Sequence, residues 1–157
     1  MRKLVLFMHT SLDGFVAGPN GEMDWINVDD KMFEYAGQRT READTALYGR
    51  ITWQMMESYW PPAADQPAAT KHDIEQSRWY NAVAKAGKVI VMFGSPTVAH
   101  ALMAENLIDD YWTFVNPILL GEGIPLFKGI RDRTALRLVA SHAFSSGVVC
   151  LHHERKV

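Results

Sequence analysis

The apolar run Lys3–His9 is short, β-rich and unbroken rather than alternating, the pattern of a strand covered on both faces in a parallel sheet. The turn signals Asp13-Gly14 and Gly18-Pro19-Asn20-Gly21 follow it, with a second short strand, Phe15–Ala17, between them. Asp29 or Asp30 caps a helix through about Glu42, with Phe33, Ala36 and Gly37 inward. Thr45–Tyr48 reads as the next strand, ending at Gly49-Arg50 and turning into a helix, Thr52–Ser58, that Pro61-Pro62 stops.

After a Pro/Ala loop, Ala63–Ala69, Thr70 opens a helix to about Lys85. Asp73 is its capping-box acid, Ile74, Tyr80, Val83 and Ala84 point inward, and Gly87 ends it. Lys88–Phe93 is another buried-type strand. Ser95 as N-cap and Pro96 at the first helical position then start a helix to about Glu105, with Val98, Ala101 and Leu102 inward. Tyr111–Val115 is a strand and Pro117–Phe127 a loop punctuated by Gly and Pro. Ala135–Ser141 and Gly147–His153 flank the turn Ser145-Ser146-Gly147 with no helix between them, so they pair antiparallel. This order predicts a three-layer α/β/α sandwich: a mostly parallel central sheet closed by a C-terminal antiparallel hairpin.

Length and composition narrow the function classes. The 157 residues suit one domain, and 48% hydrophobic with 22% charged is globular rather than disordered. Sixteen basic against 18 acidic residues give a net charge of −2, which disfavours a generic nucleic-acid binder. No stretch approaches the ~18 apolar residues of a membrane span. Leu4–Met8 is short for a signal-peptide core, and the single cysteine, Cys150, makes no intramolecular disulfide. The reading is a soluble, cytoplasmic protein.

Two strand–helix junctions carry candidate chemistry. At Gly49-Arg50-Ile51-Thr52-Trp53, backbone N–H groups and the helix dipole attract anions, Arg50 adds a fork-shaped cation, and Thr52 adds a hydroxyl. Gly94-Ser95-Pro96-Thr97 is a second junction, where glycine admits a ligand close to the backbone. Both would lie at strand carboxyl ends, where open α/β sheets bind ligands. Each also reads as a plain capped junction. Gly121-Glu122-Gly123 lines a cleft or simply connects into a short edge strand. Asp13, Asp24, Asp29 and Asp30 offer carboxyl groups for proton transfer, or serve as turn and cap residues. Cys150 and His152 share a strand face, but two ligands make no zinc site, and no metal is expected. Cys150, inside an apolar strand, is not a thiol nucleophile.

Together these pieces resemble the dihydrofolate-reductase-like superfamily, and within it the C-terminal reductase domain of bifunctional riboflavin-biosynthesis deaminase/reductases and its stand-alone relatives. The residues that carry the resemblance are Thr10-Ser11-Leu12-Asp13-Gly14-Phe15-Val16-Ala17, Asp24-Trp25, Leu47-Tyr48-Gly49-Arg50-Ile51-Thr52-Trp53, Phe93-Gly94-Ser95-Pro96-Thr97, and the block from Leu107 to Phe127. It implies an NADPH-dependent reductase of a pyrimidine- or pteridine-like heterocycle, by default 5-amino-6-(5-phosphoribosylamino)uracil. On that analogy Gly49, Arg50 and Thr52 hold cofactor phosphates, Gly94, Ser95 and Thr97 meet the pyrophosphate or ribose, and Ala17 lies near the nicotinamide. Trp25, Gly121 and Gly123 line the substrate site, and Asp30 matches the substrate-binding acid of dihydrofolate reductases.

Arg39 and Arg41 are candidates for a substrate phosphate, or equally solvated helix residues. The family habit is a homodimer. One departure stands out: only Ala86-Gly87 separates the third helix from the next strand, where relatives carry a further strand, loop and helix that complete the adenosine pocket. That shortening motivates a second reading, a nucleotide-binding or interaction protein without turnover. True dihydrofolate reductase is a third.

Overall fold

β1 (Lys3–Thr10) runs through the middle of the molecule, with β4 (Val89–Phe93) and β5 (Asp110–Val115) parallel on either side. The computed structural model describes residues 2–82, 89–130 and 132–156. β3 (Thr45–Leu47) extends the parallel set beyond β4. β7 (Leu136–Ala143) and β8 (Val149–Arg155) form the antiparallel hairpin, giving the order β3-β4-β1-β5-β8-β7. β2 (Phe15–Ala17) stands outside this sheet and pairs with β6 (Ile124–Pro125) in a ribbon of two strands. The four helices are α1 (Asp30–Thr40), α2 (Arg50–Ala63), α3 (Lys71–Ala82) and α4 (Pro96–Ala104).

Alternation along β1 divides the core in two, because successive side chains leave opposite faces. Leu6 and Met8 pack with Met92, Ile108, Leu126 and the α4 residues Ala99 and Met103. Phe7 packs on the other face with Val91, Trp112, Phe114 and Met32 of α1, against which Trp79 of α3 also rests. Each fully buried large side chain, such as Leu6 or Phe114, contributes roughly 1.5–3 kcal/mol. The sheet thus lies between helix layers, as expected, and its four parallel strands end along one edge.

The details differ at the helices. α2 does not stop before its prolines: Pro61 and Pro62 sit in its last turn. Proline's φ is itself helical, and near the end of a helix few amide bonds remain to be lost. In α1 the fully buried residue is Met32, with Tyr35 and Ala36 beside it, while Phe33 is half-buried and stacks on His72. In α4, Ala99 and Met103 are buried and Ala101 is exposed, so the inward face is turned from the expected one, though Val98 and Leu102 still touch the core. The Thr70–Asp73 capping box forms, each residue's side chain accepting the other's backbone N–H at 3.2 and 2.9 Å. Ser77 and Trp79 make the inner contacts of α3, with Ile74 and Tyr80 half-buried. The expected end of that helix, with Val83, Ala84 and Gly87, lies outside the described residues. No described helix is long and apolar enough to cross a membrane.

Candidate functional site

The two glycine junctions meet at the carboxyl edge of the parallel strands. Ser95 holds the N-cap position of α4 but makes no side-chain cap bond to its own helix. Instead its Oγ accepts the Gly49 N–H at 2.6 Å and donates to Thr52 Oγ1 at 2.9 Å. This corrects the simple N-cap reading, and the cause is backbone geometry. Gly94 and Ser95 both have positive φ, +59° and +57°, so the chain turns sharply out of β4 and swings the Ser95 side chain toward α2. A serine in this region is strained, by about 1–2 kcal/mol.

Both glycines are sterically required. A Cβ on Gly49 would stand 2.6 Å from Ser95 Oγ, and one on Gly94 2.8 Å from Thr52 Cγ2. Thr52 and Ser95 are buried, whereas Arg50 and Thr97 are exposed at the first turns of α2 and α4. The backbone N–H groups of those first turns have no acceptor within their helices. Two such starts tied side by side, with Arg50 exposed as the first residue of α2, offer N–H groups of the kind that attract anions.

The other half of the edge lies at the ends of β1 and β5. Asn116, fully buried, joins them. Its backbone N–H and Nδ2 both donate to the Thr10 carbonyl, at 2.7 and 3.2 Å, and its Oδ1 accepts the Asn27 N–H at 2.8 Å. Asp29 is the N-cap of α1, accepting from Met32 N at 2.8 Å and from Ser146 N in the β7–β8 turn at 3.1 Å. These bonds hold its carboxyl below the usual carboxylate range. Asp30, one residue on, opens α1 exposed to solvent. Trp25 is half-buried and its Nε1 donates to the Glu22 carbonyl at 3.0 Å.

Asp13 is a latch rather than a free acid. Its carboxylate accepts from Ser11 Oγ at 2.6 Å, Gly121 N at 2.8 Å and Leu120 N at 3.2 Å, and these bonds lower its pKa. The Leu12 N–H donates to the Ile118 carbonyl at 2.8 Å and the Leu126 N–H to the Gly14 carbonyl at 2.9 Å, which draws the Pro117–Phe127 segment against the turn between β1 and β2. Gly123 presses on the Ala17 carbonyl so closely that a side chain there would collide with it.

The structure therefore brings Gly49, Thr52, Gly94 and Ser95 together in one knot, and Ala17, Gly121 and Gly123 in another. Arg50 and Thr97 border the first. Trp25 and Asp30 make no bond to either knot. Arg39 and Arg41 lie away from the two knots, which favours the second of their two readings, helix residues outside the site. α1 starts at the carboxyl edge beside Ser146 and carries Arg39 about 14 Å away. Arg39 there lies over the rings of Tyr35 and Trp112, on a cavity that Lys3, Val89 and Asp110 also line at the opposite edge. Arg41 pairs with Glu75 at 3.4 Å. Asn116 carries the site's scaffolding and was not legible as such, because its partners Thr10 and Asn27 lie far along the chain.

Asp110, His152 and Glu154 offer ligand atoms within 4.8 Å of one another. The Lys3 ammonium already lies among them, 3.0 Å from Asp110 and 3.4 Å from Glu154. Cys150 is buried and its thiol is pushed up to about 12, so it is no thiolate at neutral pH.

A mostly parallel sheet between helix layers, ended by an antiparallel hairpin and carrying its glycine junctions at the carboxyl edge, defines an α/β sandwich of the class the sequence predicts. Within that class the chain belongs to the RibD C-terminal domain family, which matches residues 2–91 and 81–150. The Bacillus subtilis protein YwjB is 30% identical over 176 aligned positions, covering 98% of each chain. That alignment is longer than the 157 residues of this chain, so the relative carries residues that this one lacks. The two family matches meet at 81–91, between α3 and β4. Among solved structures, a candidate riboflavin biosynthesis protein from Shewanella sp. PV-4 superposes with a TM-score of 0.68 at 23% identity, covering 99% of both chains. A pyrimidine reductase-like protein from Corynebacterium diphtheriae gives 0.67 at 13%, covering 99% of this chain and 92% of its own. Both share the fold.

Proposed function

We propose that this protein is an NADPH-dependent reductase of a pyrimidine- or pteridine-like heterocycle. The observation that carries the reading is the Gly49–Ser95–Thr52–Gly94 knot, which sets two helix starts side by side, one of them opened by the exposed Arg50. Unbonded N–H groups, a hydroxyl and a guanidinium are the donor set a dinucleotide's phosphates require, so the residues fit the cofactor. Arg50 would favour NADPH over NADH, and Thr97 and Ala17 would border the ribose and the nicotinamide. The cofactor supplies the hydride. The protein's share is to orient the substrate against Trp25 and the Gly121–Gly123 loop, exclude water, and provide a proton at the Asp30 carboxyl.

Family membership supports the riboflavin-type substrate, 5-amino-6-(5-phosphoribosylamino)uracil, as the first to test. Its phosphate finds no partner in Arg39 or Arg41, so non-phosphorylated pyrimidines and pteridines belong in the same screen. Loss of NADPH absorbance on adding one of these heterocycles, abolished by Asp30→Asn, is the expected result. NADPH that binds but is never consumed by any of them would favour the second reading, a nucleotide-binding protein without turnover. The shortened α3–β4 connection is what speaks for that reading. A cytoplasmic homodimer fits the proposal, since β7 is an edge strand exposing Leu138 and Val139. A monomer on gel filtration would remove the dimer from it.

A further inference from the structure

A cavity opens at the edge of the sheet opposite the glycine knots. Lys3 and Asp110, the first residues of β1 and β5, stand along it, and Arg39 in the last turn of α1 closes it from above. Val5, Phe7, Val91 and Trp112, on the sheet face that α1 covers, form an apolar floor. The volume is about 350 Å³, at the small end of ligand-binding pockets.

The charges around this cavity are unequally satisfied. Asp110 is buried and both of its oxygens are taken, Oδ1 by His152 Nε2 at 2.8 Å and Oδ2 by the Lys3 ammonium at 3.0 Å. Lys3 also reaches Glu154 at 3.4 Å. Arg39 has no partner of that kind. Among the described carboxylates Glu42 alone pairs with it, at 3.8 Å, too long for a hydrogen bond. The guanidinium lies instead over two rings, its Cζ 5.6 Å from the Tyr35 centroid and 5.5 Å from that of Trp112. Contact through its flat face leaves the N–H groups along its edge for an acceptor. Trp112 adds a donor: it is buried, it lines the cavity, and its indole N–H has no hydrogen-bond partner among the described residues.

We propose that this cavity is a binding site for a small aromatic carboxylate, whose carboxylate pairs with Arg39 and whose ring rests on the apolar floor. A carboxylate matches the planar fork of a guanidinium bidentately. A phosphate fits less well, because Lys3, the cavity's other cation, is already committed to Asp110 and Glu154. Asp110, paired on both oxygens, does not oppose the anion, and Glu42, exposed at the rim, gives up only a loose contact. The site is separate from the glycine knots and does not depend on the reductase reading.

Indole-3-acetate and its neutral counterpart indole-3-acetamide are titrated calorimetrically against the full chain. Wild type is expected to bind the acid about tenfold more tightly than the amide, as one charge-assisted pair allows. Arg39→Met keeps an apolar side chain over the two rings, and is expected to lose that factor for the acid and nothing for the amide. Ala140 is exposed on β7 at the cavity wall, so Ala140→Trp obstructs the floor and is expected to lose both probes. Arg50→Ala, altered at the other edge, is expected to bind as wild type does. Thermal melts confirm folding, and the wild-type preference together with Ala140→Trp decides if Arg39→Met does not fold. No binding of the acid at millimolar concentration, equal affinity for acid and amide, or a preference that survives Arg39→Met would each overturn the site. So would binding that survives Ala140→Trp or is lost in Arg50→Ala.

Discussion

Ser95 Oγ lies 2.6 Å from the backbone nitrogen of Gly49, 46 residues earlier in the chain. That bond ties the start of α2 to the start of α4 and makes one site of two junctions. Ser95→Ala leaves the Gly49 N–H and the buried Thr52 hydroxyl without this partner. A cost of roughly 1–2 kcal/mol is expected, or about 2–8 °C in melting temperature for a domain of this size. Differential scanning calorimetry reads it directly, and an unchanged melting temperature would show that the bond does not hold the junctions together.

The glycines separate crowding from conformation. Gly94→Ala meets Thr52 at 2.8 Å and must hold φ near +59°, whereas Gly121→Ala enters open space at φ +76°. The second pays conformational strain alone, about 1 kcal/mol. Gly94→Ala should cost distinctly more in urea unfolding, and equal costs would contradict the tight contact.

This contrast marks what the sequence discloses. Gly94 and Gly49 were legible as junction glycines because each follows a strand-like apolar run. That they face one another through Ser95 was not, since nothing local ties residue 49 to residue 95. Strands, hairpin and the Thr70–Asp73 box were likewise written in local pattern. The rotation of α4 was not, because Ala99 and Ala101 carry almost the same apolar signal and only packing against Met92 and Ile108 chooses between them. Pro61-Pro62 misled because a proline ends a helix in its interior far more readily than in its last turn. Arg39 and Arg41 stayed open between two readings because charge says nothing of which end of α1 meets the cleft.

His9 gives the protein an acid-sensitive step ahead of its carboxylates. Its folded-state pKa is about 4 against an ordinary 6.5. As pH falls below 6.5 the unfolded chain takes up the proton first, so stability that is complete above that value declines until about pH 4. The difference corresponds to at most roughly 3 kcal/mol. His72, also lowered by burial, contributes in the same window. Asp29 and Asp73, whose pKa values are lowered, stabilise the fold above the usual carboxylate range and give way only at more acid pH. Urea midpoints should drop between pH 7 and 5, and His9→Gln should flatten that slope. A wild-type midpoint independent of pH over this range would refute the neutral, buried ring.

Asp13 should act on the loop rather than on the chemistry. Leu120 and Gly121 donate to different oxygens of Asp13, so Asp13→Asn sets an N–H donor against one of these two amides. Hydrogen exchange at those two amides should quicken while β1 and β5 stay protected. Unchanged exchange there would remove the latch.

Nucleotide binding at the knot tests the central claim most directly. NADPH and NADH are titrated in thermal-shift assays against wild type and Arg50→Ala. A ligand at about 100 times its dissociation constant adds about 2.7 kcal/mol, a shift of roughly 5–10 °C here. The account predicts that shift with NADPH, a smaller one with NADH, and its loss in Arg50→Ala. No shift with either nucleotide, or an NADPH shift that survives in Arg50→Ala, would contradict it.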